Sequence, residues 1–444
     1  MSLLGVALAA TGSPVWAQDA SASAAVGGGL FGGEAVAAAD LGVDLAGDGY
    51  ALGLGGRLRW VAGEGVRGRD WDAPSEWATV IRYGAYVRDP DDPDALRVSV
   101  ALGALGDVRL GRGGIVRGYT TGLDVDHHGL GGQVRLERAG LGFEGVIDDM
   151  VAPRVTGVRA YWYRHRADAA LEFGASAAAD VSAPRAATIA PGTMPALEAG
   201  VLPMAAVDAG ISLRRGEGRQ RSLLEGTLYA ELIAISTVAA GAHVGVEVDG
   251  WLEGTRLTAR TELQAGTGGY VAGWVGPLYE RDRVHLGEPT MDTQAEPAPT
   301  EPAPTQLAPT QLDRARAGGL GHLGAHFDLR VADPALGELA LSYARRPGLP
   351  DVATARLAAP SLRALQGALW AALEPAGGAR TVAVEVRVRL PRRLFVVAEA
   401  ARLYRGADPA TAPAAAAPAP AASFWSATLS LGATLDVAGA RSAE

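Results

Sequence analysis

Charged residues that could act on a solute crowd into one glycine-rich stretch, 105–131 (LGDVRLGRGGIVRGYTTGLDVDHHGLG). It holds Arg109, Arg112 and Arg117 beside Asp107, Asp124, Asp126, His127 and His128. Asp126-His127-His128 is a poor metal site, because adjacent residues of a strand point oppositely and no third ligand can be named. Gly111-Arg112-Gly113-Gly114 follows no strand-to-helix pattern and is too weak a signal for a phosphate cradle. His322, His326 and Asp328 share one parity, but residues four apart on a strand are separated by about 13 Å, too far to hold one ion. A lipid hydrolase or protease would have to draw on Asp126, His127, Asp148 and Asp149, yet no Ser stands in a recognisable nucleophile setting. An enzyme is therefore the second reading, and neither a metal nor a cofactor is expected.

Composition narrows the chemistry further. The 444 residues are 48% hydrophobic, with no Cys, no Lys and no Asn, so all 40 basic residues are Arg. Disulfides, thiol catalysis, a Lys Schiff base and Asn-linked glycosylation are excluded. A formal charge of -9 and a pI near 5.4 lack the basic footprint of a nucleic-acid binder. Leu3 to Ala10 is a short apolar run, followed by Gly12, Pro14 and Val15-Trp16-Ala17 with small residues where signal peptidase reads. A signal peptide over 1–17, cleaved after Ala17, is expected, and export with it. No stretch reaches the roughly 20 apolar residues of a spanning helix.

The elements that must position these charges are strands. In 255–264, Leu257, Ala259, Thr261 and Leu263 alternate with Arg256, Thr258, Arg260, Glu262 and Gln264. The same period recurs with Val382 to Leu390 against Glu385, Arg387 and Arg389, with Leu96 to Leu102 against Arg97, and with Val244, Val246 and Val248 against Glu247 and Asp249. Such runs extend for about nine to thirteen residues, the length that crosses a bilayer at a tilt, whereas sandwich strands usually have five or six. A strand in lipid needs a partner on each side, so the walls must close. Tyr50 and Trp60 share parity about 26 Å apart in height, near the separation of two aromatic girdles.

Strands are expected near 40–46, 50–61, 78–88, 95–105, 130–138, 140–148, 154–164, 168–176, 203–214, 222–237, 240–252, 255–266, 318–330, 337–345, 379–390, 393–403 and 423–437. The long gaps 62–77, 106–129, 177–202, 267–317, 346–378 and 404–422 all follow even-numbered strands, so short turns occupy one rim and long loops the other. The gap 267–317 carries a Pro-rich repeat (Glu296-Pro-Ala-Pro-Thr300, then 301–305) that reads as a solvated spacer, as does the Ala/Pro run in 404–422. Within 346–378 a helix is expected, N-capped by Ser361 with Leu362, Leu365, Leu369 and Leu373 on one stripe.

With these features the chain resembles the Gram-negative outer-membrane β-barrel proteins, porins in particular, over nearly its whole mature length. The resemblance is architectural. It implies an all-β, closed antiparallel transmembrane barrel of 16 or 18 strands over 40–437, with an N-terminal segment 18–39 that can supply an extra strand and a tail at 438–444. Porins often fold one early long loop into the lumen, which makes Arg109, Arg112, Arg117, Asp124, Asp126 and His127 constriction candidates. Arg97, Arg135, Arg159, Glu225, Glu231, Glu247, Asp249, Arg256, Arg260, Arg387 and Arg389 fall on the wet parity of wall strands. Opposed acidic and basic walls would set a transverse field across a wet lumen; the alternative is an ion-pair network plugging a narrow one. The expected function is a passive outer-membrane channel for small polar solutes, in contact with lipid, with a homo-oligomer as one possible state; the remaining alternative is a non-conducting anchor for an envelope complex. With both signs mixed, net charge does not decide selectivity.

Overall fold

The computed structural model describes residues 19–31, 34–90, 92, 94–121, 129–166, 168–185, 198–216, 222–237, 239–267, 270–277, 279, 322–333, 335–345, 351–362, 365–373, 380–404 and 423–436. The signal-peptide expectation, Asp124, Asp126, His127, the Pro-rich repeat, the Ala/Pro run and the tail lie outside them.

The strands are β1 (Asp19–Phe31), β2 (Glu34–Gly47), β3 (Tyr50–Val61), the two-residue β4 (Gly65–Val66), β5 (Ile81–Arg88), β6 (Arg97–Gly103) and β7 (Gly131–Arg138). They continue as β8 (Leu141–Ile147), β9 (Val155–Arg166), β10 (Ala169–Arg185), β11 (Glu198–Gly216), β12 (Ser222–Ile235), β13 (Ala239–Leu252) and β14 (Thr255–Thr267). The last seven are β15 (His322–Asp333), β16 (Gly337–Arg345), β17 (Val352–Leu362), β18 (Leu365–Leu373), β19 (Arg380–Arg389), β20 (Leu394–Tyr404) and β21 (Ser423–Asp436). β4 only pairs with the end of β3. Each of the other twenty pairs antiparallel with its neighbours in sequence, and β1 pairs with β2 on one side and with β21 on the other.

The count of twenty corrects the expectation of 16 or 18. Because each strand reverses the last, β1 and β21 can be antiparallel only if the number of long strands is even. Two strands, β17 and β18, escaped the sequence reading, and β1 was left as an optional strand within 18–39. β1 is Ala, Ser and Gly with little polar contrast between its faces, and 40–46 proves to be the second half of β2. The expected helix at 361–373 is instead the end of β17 and all of β18: Leu365, Leu369 and Leu373 are an even number of residues apart, so their spacing fits one face of a strand as well as a helix stripe. The two strands meet at Leu362 opposite Leu365, and Leu357 lies opposite Leu369. The loop expected at 177–202 shrinks because β10 and β11 pair out to Arg185 and Glu198 through Ala-rich segments that show no alternation.

The two rims differ as the sequence implied. Connections after β2, β5, β7, β9, β11, β13, β15, β17 and β19 are all short, 89–96 being the longest, whereas 62–80, 104–130, 186–197, 268–321 and 405–422 lie on the opposite rim.

The two faces differ as well. Val246 is 42% exposed and Leu263 73%, and Leu257, Leu323, Phe327, Leu429 and Leu431 are exposed with them, while Arg260, Glu262, His243 and Glu231 are almost fully buried on the other parity. Tyr50 and Trp60 both lie on the exposed apolar face. This inside-out burial is what a sheet facing lipid requires, since hydrocarbon cannot hydrate charge.

A first prediction follows. Val246→Arg or Val384→Arg should destabilise the fold by roughly 2 to 4 kcal/mol near the bilayer midplane. Thr258→Arg, on the opposite parity, should be close to neutral. Urea titration in lipid vesicles measures both, and equal costs at the two sets would invert the assignment of faces.

Candidate functional site

The inner face carries the chemistry. After β6 the chain turns inward and forms a hairpin: Val108 N–H donates to the Tyr119 carbonyl (2.9 Å), Tyr119 N–H donates back (3.1 Å), and Leu110 N–H donates to Val116 (3.1 Å). The turn is Gly111-Arg112-Gly113-Gly114, the segment that had offered only a weak phosphate motif. Gly111 has φ +56°, and a Cβ there would meet the Arg159 side chain at 2.7 Å, so glycine is required twice over.

A second inward segment, 270–279, docks on the hairpin. Arg117 N–H donates to Val275 O (3.0 Å), Val275 N–H to Ile115 O (2.9 Å) and Gly273 N–H to Gly114 O (3.0 Å). Between them and the wall lies an apolar core of Val108, Leu110, Ile115, Val116, Tyr119, Tyr270, Trp274 and Val275 on Val155, Leu202, Met204, Ile233 and Ile235. Sequence reasoning missed this partner. Its signal was the Tyr270, Trp274 and Tyr279 spacing at the start of the 267–317 gap, overshadowed by the Pro-rich repeat further on.

The hairpin arginines reach wall carboxylates on four strands. Arg109 contacts Glu247 of β13 (3.0 Å), Arg112 contacts Glu172 of β10 (3.1 Å) and Asp208 of β11 (3.7 Å), and Arg117 contacts Glu262 of β14 (2.6 Å). Gly111 N–H donates to Glu144 of β8 (3.0 Å). Burial opposes the charge of Arg117, but Glu262, Asp328 and Tyr229 around it together outweigh that effect and raise its pKa.

The wall side is equally connected. Arg159 bridges Asp208 (2.7 Å) and Glu172 (2.6 Å), with Glu144 at 3.7 Å. Glu262 accepts from Tyr229 (2.6 Å) and also pairs with Arg260, whose guanidinium donates to the Arg112 carbonyl. Arg256 donates to Asp249 (3.0 Å) and Arg135 to Glu137 (2.7 Å). The Tyr270 hydroxyl lies 2.6 Å from His243 Nε2 and 3.3 Å from the Gly114 carbonyl; burial, reinforced by Glu231, raises its pKa well above the ordinary value, so it remains a donor.

The hairpin leaves part of the inner face uncovered. On β2, β3, β5 and β20, Asp40, Asp44, Arg57, Arg82 and Glu399 keep 18 to 33% of their side-chain surface accessible. Arg57 joins Asp40 (2.5 Å) to Glu399 (2.6 Å), and Arg82 lies 3.7 Å from Asp44. None of these five was singled out from the sequence, since the Gly-rich β2 and β3 hid their alternation. Arg97 pairs with Asp89 near the short-turn rim (3.1 Å). Glu225 is half-buried on β12, and Arg387 lies over the Phe395 ring at 4.5 Å on the distant β19, where Arg389 is exposed.

Of the residues considered for hydrolysis, Asp148 and Asp149 lie within the described residues, and both are engaged by backbone. Asp148 is fully buried and accepts from the backbone N–H of Arg154 and Val155 (both 2.9 Å), and Asp149 accepts from Val151 N–H (2.9 Å). Both carboxylates cap a turn.

No protein-family model and no curated protein matches the chain. Among solved structures it is similar to the outer membrane protein OpdK from Pseudomonas aeruginosa, with 12% identity over 94% of this chain and 99% of that one and a TM-score of 0.30. It is also similar to a BenF-like porin from Pseudomonas fluorescens Pf-5 (10%, 95% and 99%, TM-score 0.31) and to outer-membrane expressed OmpT of Vibrio cholerae (11%, 96% and 99%, TM-score 0.26). Likeness this distant assigns nothing by itself. The chain's own pairing, its inside-out faces and its unequal rims define an all-antiparallel sheet of twenty long strands, the kind of architecture that outer-membrane β-barrels use.

Proposed function

We propose that the twenty strands close a barrel in the outer membrane and that the barrel passes small polar solutes through an off-centre channel. The observation that carries this reading is the asymmetry of the inner face. Between β9 and β14 Arg159, Asp208, Glu231, Arg260 and Glu262 are sealed beneath the hairpin and the 270–279 segment, with Glu172, Glu247 and Asp249 only partly covered, whereas Asp40, Asp44, Arg57, Arg82 and Glu399 all remain accessible to water. A ring of this many strands is wide enough for both an inward plug and a wet passage. Acidic and basic groups alternate along the open side, an arrangement that favours polar and zwitterionic solutes over apolar ones. The proposed role is passive, with no catalytic residue.

Two measurements test it. The protein should fractionate with the outer membrane and migrate faster on a gel before boiling than after, because a closed barrel resists detergent. It should also give discrete conductance steps in a planar bilayer. Recovery from the periplasm without a mobility shift would remove the barrel, and a folded barrel that never conducts would make it an anchor.

A further inference from the structure

We infer that the short-turn rim of the β5 to β11 sector binds anionic phospholipid through the phosphate of its headgroup; this rests on the membrane reading above. The strands that run toward that rim in this sector each end in an outward arginine. Pairing sets Arg88 opposite Val98, Arg138 opposite Leu141, Arg164 opposite Leu171, Arg166 opposite Ala169 and Arg215 opposite Leu224. Leu141, Leu171 and Leu224 are exposed on the outer apolar face, so the arginines opposite them share that face. All five arginines are exposed, and among the described residues none has a carboxylate within ion-pair distance.

The feature is local. At the corresponding ends of β2, β13 and β15 stand Gly47, Leu252 and Asp333. Just inside the arginines the outer face turns aromatic, with Tyr86 exposed and Trp162 stacked on Phe173 at 5.9 Å between ring centroids. Strands β5 to β8 have only 7 or 8 residues. At about 3.4 Å per residue and a tilt near 40°, seven residues give roughly 18 Å of wall against an apolar band of about 25 Å. The headgroups must approach this low sector, where long guanidinium side chains can reach them along the wall.

Five guanidinium groups on the lipid-facing parity, with no ion-pair partner among the described residues, repel one another and call for anions, and the planar guanidinium fork matches phosphate oxygens in pairs. An acidic protein docking at the end of the barrel would find them on the wrong surface, since they run directly into the apolar band. In barrels of this kind the short-turn rim faces the periplasm, so the leaflet concerned is the phospholipid one.

The test uses the full chain in phosphatidylcholine vesicles in which a fifth of the lipid carries bromine, either on phosphatidylglycerol or on phosphatidylcholine. Quenching of Trp162 is read as the difference between the wild type and W162F. Brominated phosphatidylglycerol should associate roughly five-fold or more strongly than brominated phosphatidylcholine, and the preference should weaken with salt. It should fall to parity when all five arginines are replaced by Gln, or toward parity in the milder pair R164Q and R166Q if the five-fold variant does not fold. Equal quenching by the two lipids in the wild type, or a preference retained in the variants, overturns the inference. So does displacement by millimolar inorganic phosphate, which would make the site one for free anions. No quenching by either lipid would instead overturn the membrane reading on which it rests.

Discussion

Excising residues 109–118 and joining Val108 to Tyr119 through two glycines should roughly double single-channel conductance, because the hairpin covers inner faces from β8 to β14, about a third of the ring. Val108 and Tyr119 already face each other as an antiparallel bridge, so a two-residue turn closes the cut without strain. The deletion removes Arg109, Arg112 and Arg117 and leaves Glu172, Glu247 and Glu262 looking into water. The same variant should therefore shift preference toward cations, measured as reversal potential in a salt gradient. Conductance and reversal potential both unchanged would place the ion path away from the hairpin. Loss of all conductance with retained heat-modifiable mobility would mean that the hairpin holds the channel open.

Parity made the wall legible in the sequence, and charge made the hairpin conspicuous. Leu257, Leu263, Arg260 and Glu262 fall on the faces that their alternation implies, because a two-residue period has only two outcomes and hydrocarbon enforces one of them. Long-range partners were not legible. Nothing local says that Arg117 meets Glu262, 145 positions away, or that Val275 pairs with Ile115, since both contacts depend on how far the inward segments fold. The illegible strands share a different cause. In β1 and in β10 beyond Gly174, Ala, Gly and Ser take most positions on both faces, so the outer side is marked only by what it lacks.

Glu262→Ala should cost about 3 to 5 kcal/mol, the largest loss expected of a single substitution on the inner face, because it strips a buried carboxylate from two buried cations. Glu262 is 2% exposed and receives Arg117 at 2.6 Å, the Tyr229 hydroxyl at 2.6 Å and Gln264 at 3.1 Å, with Arg260 also in contact. Without it, Arg117 and Arg260 face each other across the Arg112 carbonyl with no countercharge of comparable proximity. The nearest escape is for the hairpin to lift, which exposes Ile115, Val116 and Tyr119 to the lumen. The variant should thus show a lower urea midpoint in vesicles and also flickering conductance, as the hairpin leaves and returns. Asp89→Ala is the matched control: it breaks the pair with Arg97, but both partners are exposed to water, so the expected cost is about 0 to 1 kcal/mol and the conductance should stay steady. If Glu262→Ala behaved like that control, the ion pairs beneath the hairpin would be as hydrated as those at the rim, and the hairpin would be held by its apolar contacts alone.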